Sequence, residues 1–105
     1  MIRALLLLTL AAGPAAAAGD IVLGVENRSG QAIRQLAIFP VGSDGKVVDD
    51  VLTSRNSPIA DGETVAVNTR LSACQKISVW VSFADATEAT VQTDLCRNRR
   101  LIATP

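Results

Sequence analysis

Cys74 and Cys96 are the only cysteines of this chain, and what they can do depends on the compartment that the chain reaches. Thiols pair under oxidising conditions and usually stay reduced in the cytosol. The N-terminus argues for export: Met1-Ile2-Arg3 is a short positive start, Ala4 to Ala12 is apolar around Leu5-Leu6-Leu7-Leu8, and Ala15 to Ala18 offers small residues for cleavage. This pattern predicts a signal peptide over residues 1–18 with the cut after Ala18. The apolar run is too short for a bilayer, which needs about 20 residues, so no stable membrane insertion is expected once the leader is removed. Neither cysteine lies in a C-x-x-C motif, and no histidine or adjacent lysine pair is placed to lower a thiol pKa, so a structural disulfide is expected rather than a redox pair. In the loop-entropy description a bridge of this span contributes about 3 kcal/mol.

Other reactive chemistry is poorly provided for. The chain has no His and no Tyr, which removes the imidazole base and the histidine metal ligand. Ser29, Ser43, Ser54, Ser57, Ser72, Ser78 and Ser82 have no His to activate them, and no G-x-S-x-G elbow is present. Glu26, Asp61, Glu63, Asp85, Glu88 and Asp94 fall at expected strand ends or on outward faces, where carboxyl pKa values stay near normal. No enzymatic activity and no cofactor are expected.

Four groups of residues could instead bind something. Asp44, Asp49 and Asp50 cluster in one connection, and hard cations take loop oxygens of this kind. The calcium-loop pattern is missing, however, because Lys46 and Val47 stand where ligands should be, so solvated turn carboxylates are the simpler reading. Trp80 shares a face with Ser78 and Ser82, and an exposed Trp anchors a partner protein or a sugar ring. The opposing reading is that the second sheet, the long connection or Ile59 covers it, and a long connection has to lie somewhere. Arg97, Arg99 and Arg100 form the basic cluster of the chain, able to dock an acidic partner or lipid headgroups; as a short run without aromatics it also reads as a solvated turn. Asn27-Arg28-Ser29 matches a glycosylation acceptor but is better explained by turn chemistry.

These side chains must be positioned by strands, because no segment keeps helical spacing of apolar residues over three turns. The first strand is expected over Ile21 to Asn27, with Ile21, Leu23 and Val25 on one face. After the turn Asn27-Arg28-Ser29-Gly30, a second runs from Ala32 to Phe39 and stops at Pro40, which has no N–H to donate. Their proximity predicts a hairpin. Val41 to Asp61 is the long connection, polar from Thr53 to Pro58, and Glu63 to Asn68 is the next strand. Lys76 to Phe83 alternates most clearly: Ile77, Val79, Val81 and Phe83 against Ser78, Trp80 and Ser82. Glu88 to Cys96 follows after a turn, and Leu101-Ile102 closes an edge. The expectation is an all-β fold, a small antiparallel β-sandwich of about six strands with one disulfide, forming a single domain over residues 19–105.

Composition sets the outer limits. The chain has 105 residues, 49% hydrophobic and 3% aromatic, with ten basic residues balancing ten acidic ones. That balance, and the lack of a stacking platform, argue against nucleic-acid binding. A domain this small is marginal on hydrophobic burial alone, which makes a covalent staple physically reasonable.

The succession of Val25-Glu26-Asn27-Arg28-Ser29-Gly30, Ile33 to Pro40, Asp61-Gly62-Glu63-Thr64-Val65, Cys74 with the strand to Phe83-Ala84-Asp85, and Val91-Gln92-Thr93-Asp94-Leu95-Cys96 resembles a group of small exported bacterial β-sandwich proteins of unassigned role. Gly45 to Asp50 lacks the Trp-Gly often found there, and Ala86-Thr87 replaces the usual glycine turn. The resemblance implies a periplasmic β-sandwich and brings no catalytic residue with it. The expected function is that of an exported, periplasmic or secreted, non-enzymatic binding module with a protein partner. An inhibitor or stability factor for another periplasmic protein comes second, and a carboxylate-dependent hydrolase third.

Overall fold

A computed structural model describes residues 20–105, so the expected signal peptide of residues 1–18 lies outside the described part. Seven strands follow one another: β1 (Val22–Asn27), β2 (Ile33–Pro40), β3 (Thr53–Arg55), β4 (Thr64–Asn68), β5 (Lys76–Phe83), β6 (Glu88–Asp94) and β7 (Arg100–Ala103). They form a three-stranded sheet in the order β4-β1-β7 and a four-stranded sheet in the order β3-β2-β5-β6. All pairings are antiparallel except that of β1 with β7.

Period-two alternation explains how the sheets meet. Ile21, Leu23, Val25 and Val67 point from the smaller sheet into a shared core, and Leu36, Ile38, Ile77, Val79, Val81 and Phe83 point into it from the larger one. In β2 the inward set reads Ile33, Leu36, Ile38, which breaks the alternation by one residue. A register shift between Ile33 and Gln35 against β5 absorbs the extra residue.

The expected β1–β2 hairpin does not form. The two strands lie in different sheets, and the segment between them is a corner from one sheet to the other. Both strands carry apolar stripes, and placing them in opposed sheets lets each stripe cover the other. A hairpin would have left both on one side of a single sheet, needing a third layer. Asn27 builds the corner. Its fully buried side chain donates from Nδ2 to the carbonyls of Gln31 (2.8 Å) and Ile59 (2.9 Å), while its Oδ1 accepts from the Ser29 amide (3.1 Å) and hydroxyl (2.7 Å). Gly30 completes the turn at φ 90°, a conformation that a side chain disfavours. The Asn27 amide therefore serves the turn and is enclosed, as the turn-chemistry reading of Asn27-Arg28-Ser29 required.

The strand count also exceeds the expected six. Thr53–Arg55, read as polar connection, forms β3 against Leu36–Ile38. It is a short, polar, half-exposed strand on a sheet edge, where charged and hydroxyl side chains suit solvent and discourage further pairing. Leu101-Ile102 does fall on an edge, in β7 beside β1.

The disulfide joins Cys74 to Cys96 with a Cα–Cα distance of 5.0 Å. Lys76 pairs with Asp94 at the open end of the β5–β6 hairpin, so the bridge sits two residues beyond that pair on each strand. The Leu95 amide adds a hydrogen bond to the Gln75 carbonyl at 3.0 Å. Among the described residues, no helix is long and apolar enough to cross a membrane.

Candidate functional site

The outer face of the four-stranded sheet gathers side chains that the core does not use. Cross-strand register sets Gln35 opposite Ser82, Ala37 opposite Trp80 and Phe39 opposite Ser78 between β2 and β5. Between β5 and β6 it sets Trp80 opposite Thr90, Ser78 opposite Gln92 and Ser82 opposite Glu88. Trp80 thus stands with small neighbours on both sides and Phe39 on a diagonal, within reach of a large aromatic ring. Its indole N–H donates to Glu88 Oε1 at 2.9 Å, which fixes the orientation of the ring.

The long connection does not lie over Trp80; it forms one wall beside it. Its tight turn is closed by Gly42 N to Lys46 O (2.8 Å), and Val48 N to Pro40 O (2.9 Å) ties it back to the end of β2. This leaves an open groove of about 460 Å³, floored by Ala37, Phe39, Ser78 and Trp80 and flanked by Val47, Asp49 and Thr90. Trp80 is half-buried. Neither the second sheet nor Ile59 covers it, because Ile59 is fully buried in the core and bridges Ile33. Ser78 is 1% exposed although it points away from the core, and its hydroxyl has no hydrogen-bond partner among the described residues. An unpaired buried hydroxyl is uncommon and calls for a ligand or water as partner.

The other expected sites are dispersed. Asp44 Oδ1 accepts from the Lys46 amide at 3.0 Å, a turn role, while Asp49 borders the groove. Among the described residues no three His, Cys, Asp or Glu side chains assemble into a metal-holding group. The arginine cluster is divided: Arg100 pairs with Glu26, Arg99 Nε donates to the Leu95 carbonyl at 3.2 Å, and Arg97 lies exposed.

Two carboxylates depart from the expectation of ordinary titration. Glu26 faces away from the core on β1 yet is only 5% exposed, enclosed by Arg28 and Arg100, with which it forms both ion pairs found among the described residues. The hydrogen bond from Arg100 holds its carboxyl below the usual range, helped by the Arg28 charge and opposed by burial. Asp85 is also held low, first by the Thr87 hydroxyl at 2.5 Å and then by the Thr87 amide at 3.0 Å. Because the folded pKa of Glu26 is depressed, its stabilisation is complete above its ordinary value and is lost as pH falls through the folded value. Wild-type protein should therefore melt higher than Glu26→Gln at pH 7, with the gap closing below about pH 4.5. A gap that stays constant from pH 7 to pH 2 would show that these ion pairs add nothing.

Four groove residues, Ala37, Phe39, Val47 and Thr90, escaped the sequence reading. One signal was present: Leu36-Ala37-Ile38-Phe39 is apolar at every position, which marks a strand with both faces engaged. No such pattern marks Glu88 as the partner of Trp80, a contact made across two strands. No known protein-family model matches the chain, and no curated protein or solved structure is significantly similar to it.

Proposed function

We propose that the chain is an exported, non-catalytic binding module, periplasmic or secreted, whose working surface is the groove around Trp80. The observation carrying this reading is an aromatic groove on an outward sheet face, with the indole held in place by Glu88 and, in the floor, a buried hydroxyl that has no partner among the described residues. Aromatic anchors fixed before binding lose little entropy on complex formation, which is why they dominate interface energetics. Export is supported by the leader-like N-terminus and by a disulfide suited to an oxidising compartment.

Tagged protein lacking residues 1–18 should capture a partner from periplasmic extract, and Trp80→Ala should reduce that capture at least tenfold without altering the melting temperature by more than a few degrees. Equal capture by wild type and Trp80→Ala would remove the groove from the function. If the captured protein is an enzyme that loses activity on binding, the module is an inhibitor.

A second reading has its own observation. The larger sheet extends one strand beyond the smaller, so the inward face of β6 is poorly covered and Val91 is 43% exposed. A cleft of about 170 Å³ opens there between Val91, Phe83 and Leu101, beside the outer edge of β7. A partner strand added to β7 would fill it. In that case Val91→Lys abolishes capture and Trp80→Ala does not.

A further inference from the structure

We infer that the groove on the outer face of the four-stranded sheet binds a small organic ammonium cation: a positively charged nitrogen carried on a short apolar body. This rests on the reading of the groove as the working surface and names the chemistry of its ligand. Three features of the same groove point to it. Trp80 supplies the aromatic face that holds cations best, and its N–H is tied to the Glu88 carboxylate, which makes the ring more electron-rich and leaves its orientation fixed. Asp49 supplies a carboxylate on the wall, and no basic side chain lines the groove to compete for it. Ser78 supplies a buried hydroxyl oxygen without a partner among the described residues, able to accept a hydrogen bond from an ammonium N–H that reaches the floor.

The remaining lining explains why the ligand needs an apolar body. Ala37, Phe39 and Val47 offer nothing polar to a fully hydrated ion, so an inorganic cation would surrender water without replacement. A short alkyl chain, by contrast, packs on Phe39 and Val47 while its charged end meets Asp49 and the indole face. A neutral sugar is less suited, because apart from Asp49 and the hydroxyls of Ser78 and Thr90 the lining has nothing to pair with a ring of hydroxyl groups. Asp49 is exposed and belongs to the connection rather than to a strand, so altering its charge leaves the core untouched.

Trp80 is the only tryptophan of the chain, so its emission reports directly on occupancy. Full-length mature protein would be titrated with n-butylammonium chloride, with 1-butanol as a neutral chain of the same length, and with methyl glucoside, all at constant ionic strength. The expected result is a saturable change with butylammonium, a response to butanol at least tenfold weaker, and none to the glucoside. Asp49→Asn should weaken the butylammonium response about tenfold, and Ser78→Ala should weaken it by a smaller factor. Equal affinity for butanol, an unchanged affinity in Asp49→Asn, or a purely linear quench with butylammonium each overturns the assignment. Saturation by the glucoside alone also overturns it. If partner capture still depends on Trp80 in any of these cases, the binding-module reading stands and only the ligand class is wrong.

Discussion

Replacing Cys74 and Cys96 together by alanine should lower stability by about 3 kcal/mol and the melting temperature by roughly 15 °C, with the damage concentrated in β6. The size follows from releasing a loop of more than twenty residues in the unfolded chain. The location follows from how weakly β6 is otherwise held. It is an edge strand paired only with β5, its residues from Glu88 to Gln92 are all exposed, and its inward side chains overhang a narrower sheet. Beyond the ladder, its far end is fastened by the buried Leu95, the Leu95-to-Gln75 and Arg99-to-Leu95 hydrogen bonds and the disulfide. Hydrogen exchange should therefore show β6 amides losing protection first in the double variant, while those of β1 and β2 hold until global unfolding. The loss of β6 would also withdraw Glu88 from Trp80 and Thr90 from the groove, so ligand binding should weaken before the core melts. Uniform loss of protection, or a stability change under 1 kcal/mol, would show that β6 is secured by something else.

Asn27→Ala should cost about 3 kcal/mol, comparable to the disulfide although no covalent bond is lost. The side chain is fully buried and satisfies four partners at once, so its removal strips the Ser29 amide of its bond and takes one bond each from the Ile59 carbonyl, which keeps that from the Ile33 amide, and from the Gln31 carbonyl and Ser29 hydroxyl, which keep each other. Each buried polar group left unpaired costs more than an ordinary hydrogen bond contributes. The same corner holds the chain at Gly62, whose amide donates to the Asn27 carbonyl at 2.6 Å, and at Gly30, whose amide donates to Asp61 at 3.0 Å. Ser29→Ala, which removes only the hydroxyl, should cost about 1 kcal/mol. Chemical denaturation of the three proteins checks the ranking. Equal stability of Asn27→Ala and wild type would mean that water replaces the side chain, and that the corner is held by backbone contacts alone.

The strands themselves were legible because their signal is local. In Lys76–Phe83 every second residue is Ile, Val or Phe, and both ends of β5 match the reading. The disulfide was legible too, since two cysteines have only one way to pair with each other. Thr53–Arg55 was not legible, because a three-residue edge strand buries too little apolar surface to impose a pattern. The hairpin expectation failed for a related reason. A turn of Asn, Ser and Gly can reverse a chain within one sheet or carry it to the next, and the choice depends on long-range contacts: the packing of the two apolar stripes and the Asn27-to-Ile59 bond, which spans 32 positions.

The candidate site divides along the same line. That Trp80 lies opposite the apolar stripe follows from alternation alone, since successive side chains of a strand must point to opposite faces. That a groove exists beside it, that Asp49 borders it while Asp44 closes a turn, and that Glu26 is enclosed by Arg28 and Arg100 depend on contacts between residues distant in the chain. Alternation determines which residues of a strand share a face. It carries no information about which strand lies beside which, and it is that choice of neighbours, made by the packing of two apolar faces on each other, that decided the site.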